Sequence, residues 1–348
     1  MAVSFRSDSL MDDWCHVLEL SKLRPGESVV VLSSDASLET NVAQGMRGAA
    51  RMGARIFQMH VPRPVMHAGM DRSLNVGATP LAGNSLAIDT LKKADLIIDT
   101  FGLLHSPEQE EILSAGARML MVVESPDVLS RNLPEQADKD RVMAADRWLR
   151  TGKVLRATSC AGTDLRLPIG QFRTIPEYGF ADDPGHWDHW PSGFNSTFPN
   201  ENEAEGMLVI APGDMLFPFK SLVTDEIACQ VKQGRIVSIE GGYDALVLER
   251  FLRSYEDPDA FAISHVGWGL QPKSKWTAQL TMDKGDSLGM EARAYAGNFL
   301  CSTGPNAEAG GSNKSRCHVD IPMFGCSVYV DDAPMVIDGR VVAEGQKV

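Results

Sequence analysis

A chain of 348 residues with 43% hydrophobic and 23% charged content has ample material for a buried core and the balance of an ordinary globular protein. Its formal charge of −13, from 33 basic and 46 acidic residues, repels nucleic acid and anionic membrane surfaces and argues against both as partners. No apolar window approaches the roughly 20 residues of a membrane span, the N-terminus MAVSFRSDSLMDDWC has neither region of a secretory signal, and the six cysteines show no C-x-x-C spacing, so a cytoplasmic location with reduced thiols is expected.

Apolar, β-branched runs at 27–32 (ESVVVL), 54–60 (ARIFQMH), 94–99 (ADLIID) and 118–123 (RMLMVV) predict strands, and helical periodicity at 38–52 and 85–93 places helices between them. This βαβα alternation predicts a Rossmann-like parallel-sheet domain over residues 1–155. No G-x-G-x-x-G follows the first run and no G-x-x-x-x-G-K-[ST] occurs, so neither a dinucleotide nor a nucleoside triphosphate is indicated. After Lys153 the texture changes to turns and short strands at 206–210, 235–240, 261–264, 299–302, 318–321 and 327–330, with one helix over 245–255. The fold class expected is α/β: the N-terminal Rossmann-like domain followed by a β-rich α+β catalytic domain over 156–348.

Several points along the chain offer chemistry. His318-Val319-Asp320 sets an imidazole and a carboxylate two residues apart, on one face of an extended strand, where both can reach one ion. A second histidine would complete the facial triad of non-haem iron oxygenases. Of the eight histidines, His265 ends an apolar run and enters Val266-Gly267-Trp268-Gly269, where the glycines would let backbone approach a ligand and Trp268 would wall a pocket. Leu104-His105 lies between the ADLIID strand and Ser106-Pro107-Glu108-Gln109, a helix start with a serine cap and proline at its first position. His105 is therefore expected at the carboxyl edge of the sheet, where open α/β folds bind ligands. There the positive end of the helix dipole would keep it neutral and able to accept a proton. Residues 185–193 (GHWDHWPSG) read as a loop lining an aromatic pocket, with His189 and the nearby Glu177 contacting substrate. Asn195-Ser196-Thr197 and Asn313-Lys314-Ser315 match the glycosylation sequon, without a secretory signal to make the match meaningful.

Taken together, LHSPEQE (104–110), WDHWPSGF (187–194), ISHVGWGLQP (263–272), STGPN (302–306) and CHVD (317–320) closely resemble the 2,5-dihydroxypyridine 5,6-dioxygenases of bacterial nicotinate degradation, over nearly the whole chain. The resemblance implies one Fe(II) held by His265, His318 and Asp320, with 2,5-dihydroxypyridine and O2 converted to N-formylmaleamate. On that reaction His105 is expected to act as the catalytic base, and Leu104, Glu177, His189 and Ser302 are expected to contact the substrate. It also implies a homo-oligomer, in the family a hexamer. These dioxygenases are in turn similar to the M29 aminopeptidases, which hold two metals. In this resemblance Ser264-His265-Val266 falls where the peptidases place a bridging Glu, and Leu300 where they place a histidine. A peptidase of this type remains the alternative enzyme reading, with Glu205 or Glu240 as the extra carboxylates it would need. A third reading is a small-molecule binding protein with a structural Asp-His pair.

Overall fold

A computed structural model of the chain describes residues 7–62, 75–76, 79–104, 106–282 and 287–348; His105 lies outside the described residues. By its contacts the chain divides into two compact units, residues 1–136, 177–192 and 282–290 in the first and residues 137–176, 193–281 and 291–348 in the second. Residues 137–155, which the βαβα alternation groups with the N-terminal half, thus pack with the second unit, while 177–192 return to the first.

The first unit is built on a parallel sheet of β1 (Ser28–Ser33), β2 (Arg55–His60), β3 (Leu96–Asp99), β4 (Arg118–Met121) and β5 (Trp187–His189), in the order β5-β4-β3-β1-β2. β3 and β4 are buried at every position and β1 at all but its first, the pattern of parallel strands covered on both faces. Edge strand β2 is exposed or half-buried throughout. Val30, Leu32, Ile97 and Met119 form a core with Leu91 and Ile112 from the helices Ser85–Leu91 and Pro107–Ser114. The helix at 107 begins as its sequence predicts: Pro107 is in the first turn and Ser106 Oγ accepts the Gln109 N–H at 3.1 Å. β5 differs from expectation. Residues 187–189, read as a loop, pair with Met119–Met121 as the edge strand of this sheet.

The turn leaving β3 is organised by a carboxylate. Asp99 is fully buried and accepts the N–H groups of Phe101 (2.9 Å), Gly102 (2.9 Å) and Leu103 (2.6 Å). Burial pushes its pKa up to about 6, against the pull of those three donors.

The second unit contains two antiparallel arrays. An eight-stranded sheet runs Arg235–Gly241, Ile227–Lys232, Glu205–Ile210, Asp164–Pro168, Val154–Thr158, Ser327–Val330, Ala333–Ile337, Arg340–Val341. The other sheet contains β6 (Phe194–Thr197), β7 (Ile263–Gly269), β8 (Phe299–Thr303) and β9 (Val319–Met323), in the order β9-β8-β7-β6, with Ile175–Glu177 beyond β6. Every residue of β8 and β9 is buried. Pairing of β7 with β8 slips at one point: Ile263 opposes Thr303 but Val266 opposes Cys301. Ser264 and His265 therefore face Ser302 together, a bulge of the kind that re-aims side chains beside functional sites. Among the described residues no helix is long and apolar enough to cross a membrane.

Candidate metal centre

The bulge in β7 and the start of β9 bring three donors together. His265 Nε2 and His318 Nε2 are 3.3 Å apart, and Asp320 Oδ1 lies 3.1 Å from each. Val319 lies between His318 and Asp320, and alternation turns it to the other face. Asp320 Oδ1 is buried and has no hydrogen-bond donor among the described residues, although two imidazoles touch it. His318 Nδ1 donates to the Thr303 carbonyl oxygen at 3.0 Å, which leaves Nε2 with its lone pair directed at the cluster. His265 Nδ1 is buried without a hydrogen-bond partner among the described residues, and the rings of Phe194 and Phe198 stand edge-on to the imidazole with centroids 6.3 and 6.0 Å from its own. Ser302 Oγ donates to the His265 carbonyl at 2.8 Å and so fixes the bulge.

The electrostatics favour an ionised carboxylate. Burial opposes the charge of Asp320, but the neighbouring His318 and Arg293 outweigh it and hold the pKa well below the usual range. For His318, burial is likewise outweighed by Asp320, and the pKa is raised. Arg293, from the helix Met290–Ala294, gives no signal in the sequence, yet its Nε donates to Asp320 Oδ2 at 2.6 Å and its guanidinium lies 4.1 Å over the Phe217 ring.

The residues present fit a metal ion. Donors held about 2.1 Å from one centre at right angles stand about 3 Å apart, close to the three separations here, and two imidazoles with one carboxylate form the donor set of facial-triad iron sites. Among the described residues this is the one group of three such side chains that converges. Glu205 and Glu240 do not join it; both are exposed on strands of the eight-stranded sheet. Leu300, at the position of the peptidase histidine, is buried in β8. A Cβ at Gly267 would meet the Asn195 carbonyl at 2.0 Å and one at Gly269 the Tyr295 carbonyl at 2.2 Å, so both glycines admit close approach of neighbouring backbone. Trp268 is fully buried, with its indole N–H on Gln346 Oε1 at 3.0 Å.

The remaining expected site residues lie in the first unit. His189 is buried, its Nε2 2.6 Å from Glu177 Oε2 and its Nδ1 2.7 Å from the Pro191 carbonyl. The Pro191 carbonyl only accepts, so Nδ1 carries a proton, and an ionised Glu177 draws a second proton onto Nε2. Burial lowers the His189 pKa, but Glu177 outweighs it and the net shift is upward. The His186 ring packs on Tyr178, with centroids 5.0 Å apart. Asp188, also buried, accepts the N–H groups of Tyr178 (2.7 Å), Gly179 (3.0 Å) and His189 (2.7 Å), tying the segment into one block. Leu104 packs with Met121, Leu288 and Met290, and Trp187 packs against that cluster. Both sequons are closed to modification, since Asn195 and Asn313 are buried.

A family model described as NicX, 2,5-dihydroxypyridine 5,6-dioxygenase, matches residues 9–343. A 2,5-dihydroxypyridine 5,6-dioxygenase of Pseudomonas putida is 46% identical over 331 residues, 94% of each chain. The solved structure of 2,5-dihydroxypyridine dioxygenase from Pseudomonas putida KT2440 superposes with a TM-score of 0.95 at 45% identity, covering 97% of this chain and 98% of that one. AmpT from Thermus thermophilus, at 16% identity and a TM-score of 0.62 over 97% of this chain and 99% of its own, shares the fold.

Proposed function

The chain belongs to the 2,5-dihydroxypyridine 5,6-dioxygenase (NicX) family and is a dioxygenase, and from that premise we propose that it opens 2,5-dihydroxypyridine between C5 and C6, using Fe(II) held by His265, His318 and Asp320 and releasing N-formylmaleamate. The observation that carries the reading is the convergence of His265 Nε2, His318 Nε2 and Asp320 Oδ1 within 3.3 Å of one another. The balance is simple: both atoms of one O2 enter the product, one at each carbon of the broken bond, and no further reductant is needed.

Fe(II) in this site supplies a redox-active centre with open positions at which a hydroxyl-bearing ring and O2 can be brought together. The chain's own groups do the rest. His105 takes the proton of the 5-hydroxyl, which raises electron density on the ring. Ser302 Oγ, whose proton is given to the His265 carbonyl, keeps lone pairs for a ring N–H or hydroxyl. His189 uses both nitrogens internally, so its part is to orient Glu177 and neutralise its charge, and Glu177 Oε1 is the acceptor left for substrate. Leu104 gives apolar contact. Assembly as a homo-oligomer belongs to the same reading.

Anaerobic loading with Fe(II), followed by O2 uptake with 2,5-dihydroxypyridine, tests it. One O2 consumed per ring, with two labelled oxygens in the product from 18O2, is the expected result. Absence of uptake by chains that retain iron would overturn the reading, as would cleavage of peptides by a form holding two metal ions.

A further inference from the structure

The two oxygens of Asp320 live in different surroundings. Oδ2 accepts a charged hydrogen bond from Arg293 Nε at 2.6 Å, while Oδ1 faces both imidazoles with no donor among the described residues. We propose that Arg293 is a positioning residue that restricts Asp320 to one-oxygen ligation of the metal ion and thereby keeps a coordination position free for the reactants; this rests on the iron site proposed above.

Three features fix the contact from both ends. The guanidinium lies 4.1 Å over the Phe217 ring, and the Phe217 N–H donates to the Asp320 carbonyl at 2.9 Å, so one residue braces both partners. Asn298 Nδ2 donates to the carbonyls of Ala292 (2.6 Å) and Arg293 (2.9 Å), which pins the backbone that carries the arginine. Both side chains are buried, at 7% and 6% exposure, so water cannot take over as partner to Oδ2. Turning the carboxylate until both oxygens faced the imidazoles would break a short charge-assisted bond in a low-dielectric interior. On a six-coordinate ion, three one-atom ligands leave three positions open, and a chelating carboxylate would occupy one of them. A lysine cannot reproduce the arrangement, because its ammonium has neither a planar fork nor a face to stack.

The test compares the native chain with Arg293→Lys and Arg293→Met, each loaded with Fe(II). It measures iron per chain, the number of Asp320 oxygens on the ion (by crystallography or X-ray absorption), and KM and kcat separately. We expect one iron per chain throughout, one Asp320 oxygen on the ion in the native protein and two in the variants, and a KM for 2,5-dihydroxypyridine raised at least tenfold in both. Should Arg293→Met fail to fold, Arg293→Lys carries the comparison. One-oxygen ligation with native KM in the folded variants would overturn the proposal, as would two-oxygen ligation in the native chain. Loss of iron from both folded variants would also overturn it, by making Arg293 a support for the ligand set alone. If the native chain binds iron through one Asp320 oxygen yet consumes no O2 with the substrate, the functional reading fails while the ligation readout still decides the role of Arg293.

Discussion

His318 Nδ1 donates to the Thr303 carbonyl oxygen at 3.0 Å, and this contact decides which nitrogen meets Asp320. A carbonyl cannot donate, so the proton stays on Nδ1 and the Nε2 lone pair turns toward the cluster. The contact follows from the pairing of β8 with β9, in which Thr303 opposes Val319 and Ser302 opposes Asp320. One strand pair thus places two candidate ligands and sets the tautomer of one of them.

Replacing His265, His318 or Asp320 by Ala should each reduce retained iron from about one per chain to under a tenth after desalting, because two remaining ligands hold the ion weakly. Circular dichroism should show the fold intact. Full iron occupancy in His265→Ala would remove that residue from the ligand set.

His105 is expected to act as a base and not as a ligand. His105→Ala should therefore keep its iron and lose about 10²- to 10⁴-fold in kcat, the contribution of a positioned acid-base group. Iron loss in this variant would instead make it a ligand or a scaffold residue.

Much of the parallel sheet was legible because its strands are continuous apolar runs, and the spacing of His318 and Asp320 announced a shared face. Three things were not legible. The strand Trp187–His189 is short, carries a charge and two aromatics, and is defined by pairing with β4 across more than 60 residues of sequence, so no local pattern reports it. The bulge that aims His265 is a property of two strands at once. Arg293 sits on a five-residue helix too short for periodicity to show its buried face, and its meaning comes from Asp320, 27 residues on.

The Glu177–His189 pair should be a stability element as well as a site element. Glu177→Gln leaves a buried imidazolium without its counter-charge, which costs about 3–5 kcal/mol when one partner of a buried pair is removed. Urea unfolding at neutral pH should show this loss, and the double variant Glu177→Gln/His189→Gln should recover part of it. Native stability of Glu177→Gln would mean that the pair is not charged.

Asp99 makes a distinct pH signature. Its pKa rises from 3.8 to about 6 on folding, so between those values the folded chain keeps a proton that the unfolded chain has lost. Stability therefore falls as pH rises through this window, by about 3 kcal/mol in all. Asp99→Asn removes the titration. Relative to the native chain, it should look better by about that amount at pH 7 than at pH 4, and equal differences at the two pH values would contradict the shift.

Gly304 begins the connection from β8 to β9, the strand at which His318 and Asp320 lie, and its replacement should reach the metal through the backbone. Its φ of +113° is one that L side chains rarely adopt, and a Cβ there would stand 2.0 Å from the carbonyl oxygen of Cys317, the residue before His318. Gly304→Ala must push the start of β9 away. The expected cost is about 1–3 kcal/mol for the strained backbone, with more from the overlap. A shift of 1 Å at His318 would also pull Nε2 out of a cluster whose separations are 3.1 to 3.3 Å. The variant should therefore lose iron affinity by at least tenfold at temperatures where it remains folded, measured by competition with a chelator. Ser312→Ala, in the same loop but hydrogen-bonded to Glu201, serves as the control and should leave iron affinity unchanged. Native iron binding in folded Gly304→Ala would show that β9 can move without carrying His318 with it.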